Sequence, residues 1–177
     1  MAGVLLAEPS PDDWRARIVE DNVLQTRSPV TAQRVASLLR ARLEPLGPPA
    51  WEMVRDGDRE LAAQTCLAGS IQNSRLLGDF MDLAIREQVA LFAKRLEPRV
   101  WTAYIEGCMG RDPEMPHWTE STIARLRSAV FSMLAEVGYV NNTRELRLQN
   151  VFIDPTLADY LRERKEHYVL RCLEVMS

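Results

Sequence analysis

Apolar residues recur at three- and four-residue steps along most of the chain, the spacing of one face of an α-helix. The clearest run is TESTIARLRSAVFSMLAEVGYV, from Thr119 to Val140. Ile123, Leu126, Val130, Met133, Leu134 and Val137 form its inner stripe. Ser121, Arg125, Ser128, Ser132 and Glu136 form the opposite one. Thr119 is placed to cap the first turn with its hydroxyl. Gly138 stands where a helix stops in the left-handed conformation, with Tyr139 folding back on Leu134. The period then changes. Leu146 and Leu148 alternate with Arg147 and Gln149, and Val151–Phe152–Ile153 runs up to Asp154–Pro155. This predicts two short strands around Gln149–Asn150. A long helix followed by a small hairpin is the layout of a winged helix, in which the helix enters a nucleic-acid groove and the hairpin meets the flanking backbone. The same pattern also serves helices that bind nothing.

The remaining elements follow from capping signals. Met1 to Glu8 reads as a loose tail, or as a strand if it is covered. Ser10–Pro11–Asp12–Asp13 starts a helix with Trp14, Ile18 and Val19 inside, ending near 22–24. Ser28–Pro29 starts a second, with Val35, Leu38, Leu39, Leu43 and Leu46 inward. Pro45, Gly47, Pro48 and Pro49 form a turn-rich joint. Asp58 to Leu67 reads as a short helix. Asn73 or Ser74 caps another to Arg86, with Leu76, Leu77, Phe80, Leu83 and Ala84 inside and Asp79 and Asp82 on its polar face. Residues 89–96 are ambiguous. Pro98 opens a helix with Val100, Trp101, Tyr104 and Ile105 inside. Asp154–Pro155 caps a last helix reaching Cys172, with Glu163, Arg164, Lys165 and Glu166 on its wet side. The expectation is a mainly α fold: a helical bundle with a C-terminal winged-helix-like unit carrying a small β-hairpin. Two lobes, 1–96 and 97–177, would share one core.

Composition narrows the chemistry. The chain has 177 residues, 46% of them hydrophobic and 27% charged, with a net charge of −3. That composition supports an ordinary core and excludes a wholly basic nucleic-acid protein or a polybasic membrane binder. A local basic face stays open. The most basic window holds Arg27, Arg34, Arg40 and Arg42, which is either a solvated face paired with acids or a phosphate-contacting one. Cys66, Cys108 and Cys172 are far apart and read as reduced packing residues, and with His117 and His167 they offer no metal spacing. No stretch reaches the roughly 20 apolar residues of a spanning helix, and 2–7 lacks the basic flank of a signal peptide. The expectation is a soluble, cytoplasmic protein with no cofactor, no metal and no small-molecule substrate. No GxxxxGK[ST], GxGxxG or GxSxG motif is present, and the residues give no catalytic constellation.

Four stretches together resemble one family. They are Leu24-Gln25-x-Arg27-Ser28-x-x-Thr31-x-x-Arg34, Leu39-x-x-Arg42-Leu43-x-x-Leu46, Leu76-Leu77-x-Asp79-Phe80, and Ser121-Thr122-x-x-x-Leu126-Arg127 running to Met133-Leu134-x-Glu136-x-Gly138. Their order and spacing over 24–160 resemble the BrxA family of bacteriophage-exclusion (BREX) defence systems. Each motif alone is mostly helix-core pattern; the joint order carries the likeness. The resemblance implies a small, mostly helical, non-enzymatic component that binds double-stranded DNA beside the other BREX proteins, in a system that modifies host DNA and blocks phage replication. An inner-membrane label attached to some members has no support in this sequence.

The contact residues come from the pattern, not from the resemblance. Thr122, Arg125 and Ser128 would face the duplex from the central helix. Arg144, Arg147 and Gln149 would meet phosphates from the hairpin, and Arg27, Arg34 and Arg40 would extend the footprint. The guanidinium fork suits phosphate oxygens. Between 119 and 154 the charges cancel, so a positive patch has to come from geometry. A protein–protein adaptor with no DNA contact is the competing reading. An RNA binder ranks last, because Trp14, Trp101 and Tyr104 sit on apolar faces and leave no stacking platform.

Overall fold

The structure is a computed structural model that describes Met1 to Met176. It is mainly helical and forms two compact units, Met1–Asn73 and a second from Ser74 onward.

The first unit begins with α1 (Ala2–Leu6), so the expected tail is helical. Ala2 and Leu5 bury with Leu43 against Trp51 and Val54, which is why these residues order. α2 (Pro11–Arg15) is capped by Ser10, whose Oγ accepts from the Asp13 N–H, and it continues as a π turn over Ala16–Glu20. α3 (Pro29–Leu43) is capped in the same way by Ser28. Its buried residues are Ala32 and Ala36, packed with Ile18, and Leu43, packed with Ala2 and Leu5, whereas Leu38 is exposed. Leu43 and Leu46 are buried as expected, and the alanines take the place expected of Leu38. Pro48 does not only end a helix. It opens α4 (Pro48–Asp56), which the sequence reading had as a joint, and Trp51 Nε1 donates to the Leu43 carbonyl at 2.6 Å. α5 (Arg59–Asn73) runs longer than expected because Leu67, Ala68 and Ile71 continue its buried face.

The second unit starts with Ser74 capping α6 (Arg75–Asp79), which runs through a π turn, Phe80–Ile85, into α7 (Arg86–Ala90). The π turn inserts one residue into the helical register. Asp82, expected on the wet face, is buried, and Leu83, expected inside, is 53% exposed. α8 (Pro98–Arg111) packs Trp101 and Tyr104 on Phe80, with ring centroids 4.9 and 5.3 Å away. The Trp101 indole N–H donates to the Ile123 carbonyl of α9 (Glu120–Val137) at 3.1 Å. α9 begins and ends as its sequence dictates. Thr119 Oγ1 accepts from the Thr122 N–H, Gly138 adopts φ +95°, and the N–H groups of Gly138 and Tyr139 both reach the Leu134 carbonyl. The last helix is broken. α10 (Pro155–Glu163) and α11 (His167–Leu173) are separated at Arg164–Glu166, where Lys165 has φ +59°.

The pairing after α9 differs from the expected hairpin. No strands pair around Gln149–Asn150. The turn lies at Asn141–Leu146 instead. Asn142 Oδ1 accepts from the N–H groups of Arg144 and Glu145, and Asn141 Oδ1 accepts from that of Arg147. Residues 146–149 then lie between two partners through isolated antiparallel bridges, Val140 with Leu148 and Arg95 with Arg147. The ambiguous stretch 89–96 thus supplies an edge.

Candidate nucleic-acid interface

The four backbone bonds around the two bridges fix the register. Leu96 N–H donates to the Leu146 carbonyl at 2.8 Å and Leu148 N–H to that of Lys94 at 3.1 Å. On the other side, Asn141 N–H donates to Arg147 at 3.0 Å and Gln149 N–H to Tyr139 at 3.0 Å. Arg95 and Arg147 are therefore a non-hydrogen-bonded antiparallel pair, the type whose side chains stand closest on one face. Val140 and Leu146 are buried while Arg95 and Arg147 are exposed. Two like charges directly opposite each other destabilise a sheet. The pair is relieved on one side only: Arg147 Nε lies 3.0 Å from Glu145 Oε2, and both side chains are exposed. Lys94 is exposed beside them. Lys94 and Arg95 were missed by the sequence reading, because 89–96 showed no clear period; only the bridge to Arg147 assigns them.

The α9 stripe is as expected. Ser121, Arg125, Ser128, Ser132 and Glu136 are all exposed, and Thr122 is half-buried. Arg125 forms no ion pair. The two hydroxyls are engaged locally: Thr122 Oγ1 lies 3.1 Å from Thr119 Oγ1, and Ser128 Oγ donates to the Ala124 carbonyl at 3.0 Å. The Ser128 proton is spent on that carbonyl, so this hydroxyl can accept from a donor on a base edge but does not donate to a phosphate. Arg144 and Gln149 are exposed, and the Arg144 guanidinium is unpaired.

Arg27, Arg34 and Arg40 lie in the first unit and the other six residues in the second. Arg27 and Arg34 are exposed and carry no ion pair. Arg40 is less free. It donates from Nε and Nη2 to Glu44 Oε1 at 3.1 and 2.8 Å, and its guanidinium lies 4.8 Å from the Trp14 ring centroid. The hydrogen bond from Arg40 holds the Glu44 carboxyl below its ordinary pKa.

No three His, Cys, Asp or Glu side chains among the described residues group as metal ligands. Cys66 is exposed, Cys108 half-buried and Cys172 buried, so packing accounts for the last but not the first. No helix among the described residues is long and apolar enough to cross a membrane.

The model of the BrxA family matches residues 1–165. The chain belongs to the BrxA family. It is 46% identical over 175 residues to the BREX protein BrxA of Paramagnetospirillum magneticum, covering 99% of this chain and 88% of the relative. Over 174 residues it is 28% identical to the BREX protein BrxA of Escherichia coli O9:H4, covering 98% and 82%. A crystal structure of an uncharacterized protein from Magnetospirillum magneticum superposes with a TM-score of 0.91 at 44% identity, covering 98% of this chain and 89% of that one. The family fold is thus fixed over nearly the whole chain, and the four motifs of the sequence resemblance fall within it.

Proposed function

We propose that this BrxA-family chain is a non-enzymatic accessory component of a BREX phage-defence system, and that it binds double-stranded DNA with low sequence specificity. The observation that carries the reading is the Arg95–Arg147 pair, two exposed arginines opposite each other across a bridge, of which Arg147 alone has a carboxylate partner. The order of elements supports it. A helix (75–90), a bridge residue (Arg95), α8, α9 and the bridge residues Val140 and Leu148 follow one another in the chain, with isolated bridges and no strands among the described residues. A winged-helix unit would place its strands at these three positions. In this reading Thr122, Arg125 and Ser128 face the duplex from α9. Arg144, Arg147 and Gln149 flank it from the segment after α9 with Lys94 and Arg95, and in the first unit, taken by itself, Arg27, Arg34 and Arg40 are further phosphate-contact candidates. Such contacts hold phosphates and name few base-reading groups, so they position without specifying.

The test is a titration of duplex DNA across salt. With about three to six phosphates neutralised, log K falls against log salt with a slope near −0.9 per contact. Arg125→Ala with Arg147→Ala weakens binding equally on unrelated duplexes and flattens the slope. Unchanged affinity in that double variant rejects the placement. The net charge of −3 favours a second reading, an adaptor between BREX proteins. It predicts no duplex shift at about 0.1 M salt, where the screening length is about 10 Å.

A further inference from the structure

The second unit carries a surface that the DNA reading leaves unused. A cleft of about 890 Å³ opens between the π turn with α7 on one side and α8 on the other. Its floor is apolar: Leu83, Leu91, Val100 and Ala103 line it. Leu83 is 53% and Leu91 68% exposed, and the adjacent Phe92 is 91% exposed at φ +56°. Contiguous apolar exposure of this kind marks a contact surface. The π turn is what produces it. Without the extra residue, Leu83 would fall on the inner face, as its sequence position predicts, and the cleft would lose one wall.

The rim is basic. Arg99 and Arg111 stand at the two ends of α8, about 18 Å apart at 1.5 Å rise per residue, and Arg86 lies across from them. The buried Asp82, held by Arg86 and Arg171 at 3.2 and 2.8 Å, neutralises one of those two charges, so the excess on the rim rests on Arg99 and Arg111. Arg111 meets no carboxylate and touches only Cys108 Sγ at 3.5 Å. Arg99 pairs with Glu97 in a highly exposed contact, of the kind that contributes little. Glu87 is the one acidic lining residue left without an arginine.

We propose that this cleft binds an amphipathic helix of another protein, with apolar residues at three- and four-residue steps and acidic residues at both ends. The walls extend along 82–91 and 99–111, a length that seats about three helical turns in the helix-in-groove mode. Leucines on the floor argue against a nucleic-acid strand, whose phosphates would lose water there without gaining a polar partner. The acidic ends are specified by Arg99 and Arg111. The inference stands apart from the DNA reading, because none of these residues is among the proposed phosphate contacts.

The experiment places a benzophenone amino acid at Leu91 and, separately, at Ala103 of the full chain in its native cell, with the cross-linked peptide identified by mass spectrometry. Both positions are expected to join one segment of one other protein, with the stated apolar spacing and acidic flanks. Arg99→Glu with Arg111→Glu is expected to lower the yield about tenfold, and Arg99→Lys with Arg111→Lys to keep most of it. Duplex affinity measured on the same variants stays unchanged, which separates this proposal from the DNA reading. Cross-links to a second copy of the chain, to DNA or to nothing overturn the proposal. So does a yield indifferent to charge reversal.

Discussion

At the scale of single residues, Gly138 and Cys172 each isolate one physical term. Gly138 sits at φ +95°, where a Cβ would meet only Val151 Cγ2 at 4.0 Å. Space is available, so Gly138→Ala is charged for backbone alone, about 1 kcal/mol. Urea denaturation should show that loss, and Gly138→Asn should recover part of it, because asparagine tolerates the left-handed region. Cys172 tests burial. Burial pushes its thiol from 9.0 up to about 11, and it also raises the Tyr139 hydroxyl, which donates to the Leu173 carbonyl at 2.6 Å. Both groups stay protonated in the folded chain, while the unfolded chain ionises earlier. The stability they contribute is therefore complete below about pH 9 and falls as pH rises towards 11. Denaturant midpoints measured at successive pH values should be level near neutrality and drop across that window. Cys172→Ala should shrink the lower part of the drop and leave what Cys66 and the raised Tyr104, Tyr139 and Tyr168 hydroxyls contribute.

At the scale of elements, α11 is locked to the helix of residues 75–90 through Tyr168. Its hydroxyl donates to Asp79 Oδ1 at 2.7 Å, and the Arg75 guanidinium lies 3.9 Å from the ring centroid. The ring fits because residue 78 is glycine; a Cβ there would overlap the Tyr168 hydroxyl. Gly78→Ala is expected to cost about 1–3 kcal/mol by overpacking. In a Tyr168→Ala background most of that cost should vanish, giving a coupling above about 1 kcal/mol. Additive losses would show that the two positions do not meet. The same helix shows where the sequence was legible. The caps at Ser10, Ser28, Ser74, Thr119 and Asp154 and the stop at Gly138 were readable, because each rests on atoms within four residues. The π turn was not, since nothing local distinguishes an inserted residue in LLGDFMDLAI; it exchanges Leu83 and Asp82 between surface and core, and Arg86 and Arg171 from a distant segment stabilise the result. The turn at Asn141–Leu146 was half legible. Two asparagines are a turn signal, but the alternation at 146–149 drew attention to Gln149–Asn150. Of the candidate site, the exposed α9 stripe was readable from period alone. Lys94 and Arg95 were not, because a bridge between residues 95 and 147 has no local signature.

At the scale of the whole molecule, a net charge of −3 says little about any one face, because several acids are paired with arginines near them in the chain while some basic residues stand without an acid. Asp79, Asp82, Glu97 and Asp159 each hold an arginine close by in the chain. Lys94, Arg95, Arg125 and Arg144 have no such partner and are exposed. Glu145 is the exception that tests the balance. It is the carboxylate paired with Arg147, at 3.0 Å, and it accepts from the Asn141 amide at 3.0 Å. An exposed pair of this kind contributes about 0–1 kcal/mol to folding, so Glu145→Gln should leave the denaturation midpoint nearly unchanged. Its effect on DNA should be larger. The substitution frees one guanidinium and removes one repelling charge, so duplex affinity should rise several-fold and the salt slope should steepen by about one contact. Arg147→Ala should abolish the gain, because without that side chain Glu145 has nothing to withhold. A gain that survives Arg147→Ala would reduce Glu145 to a general acidic charge and move the phosphate contact away from the bridge.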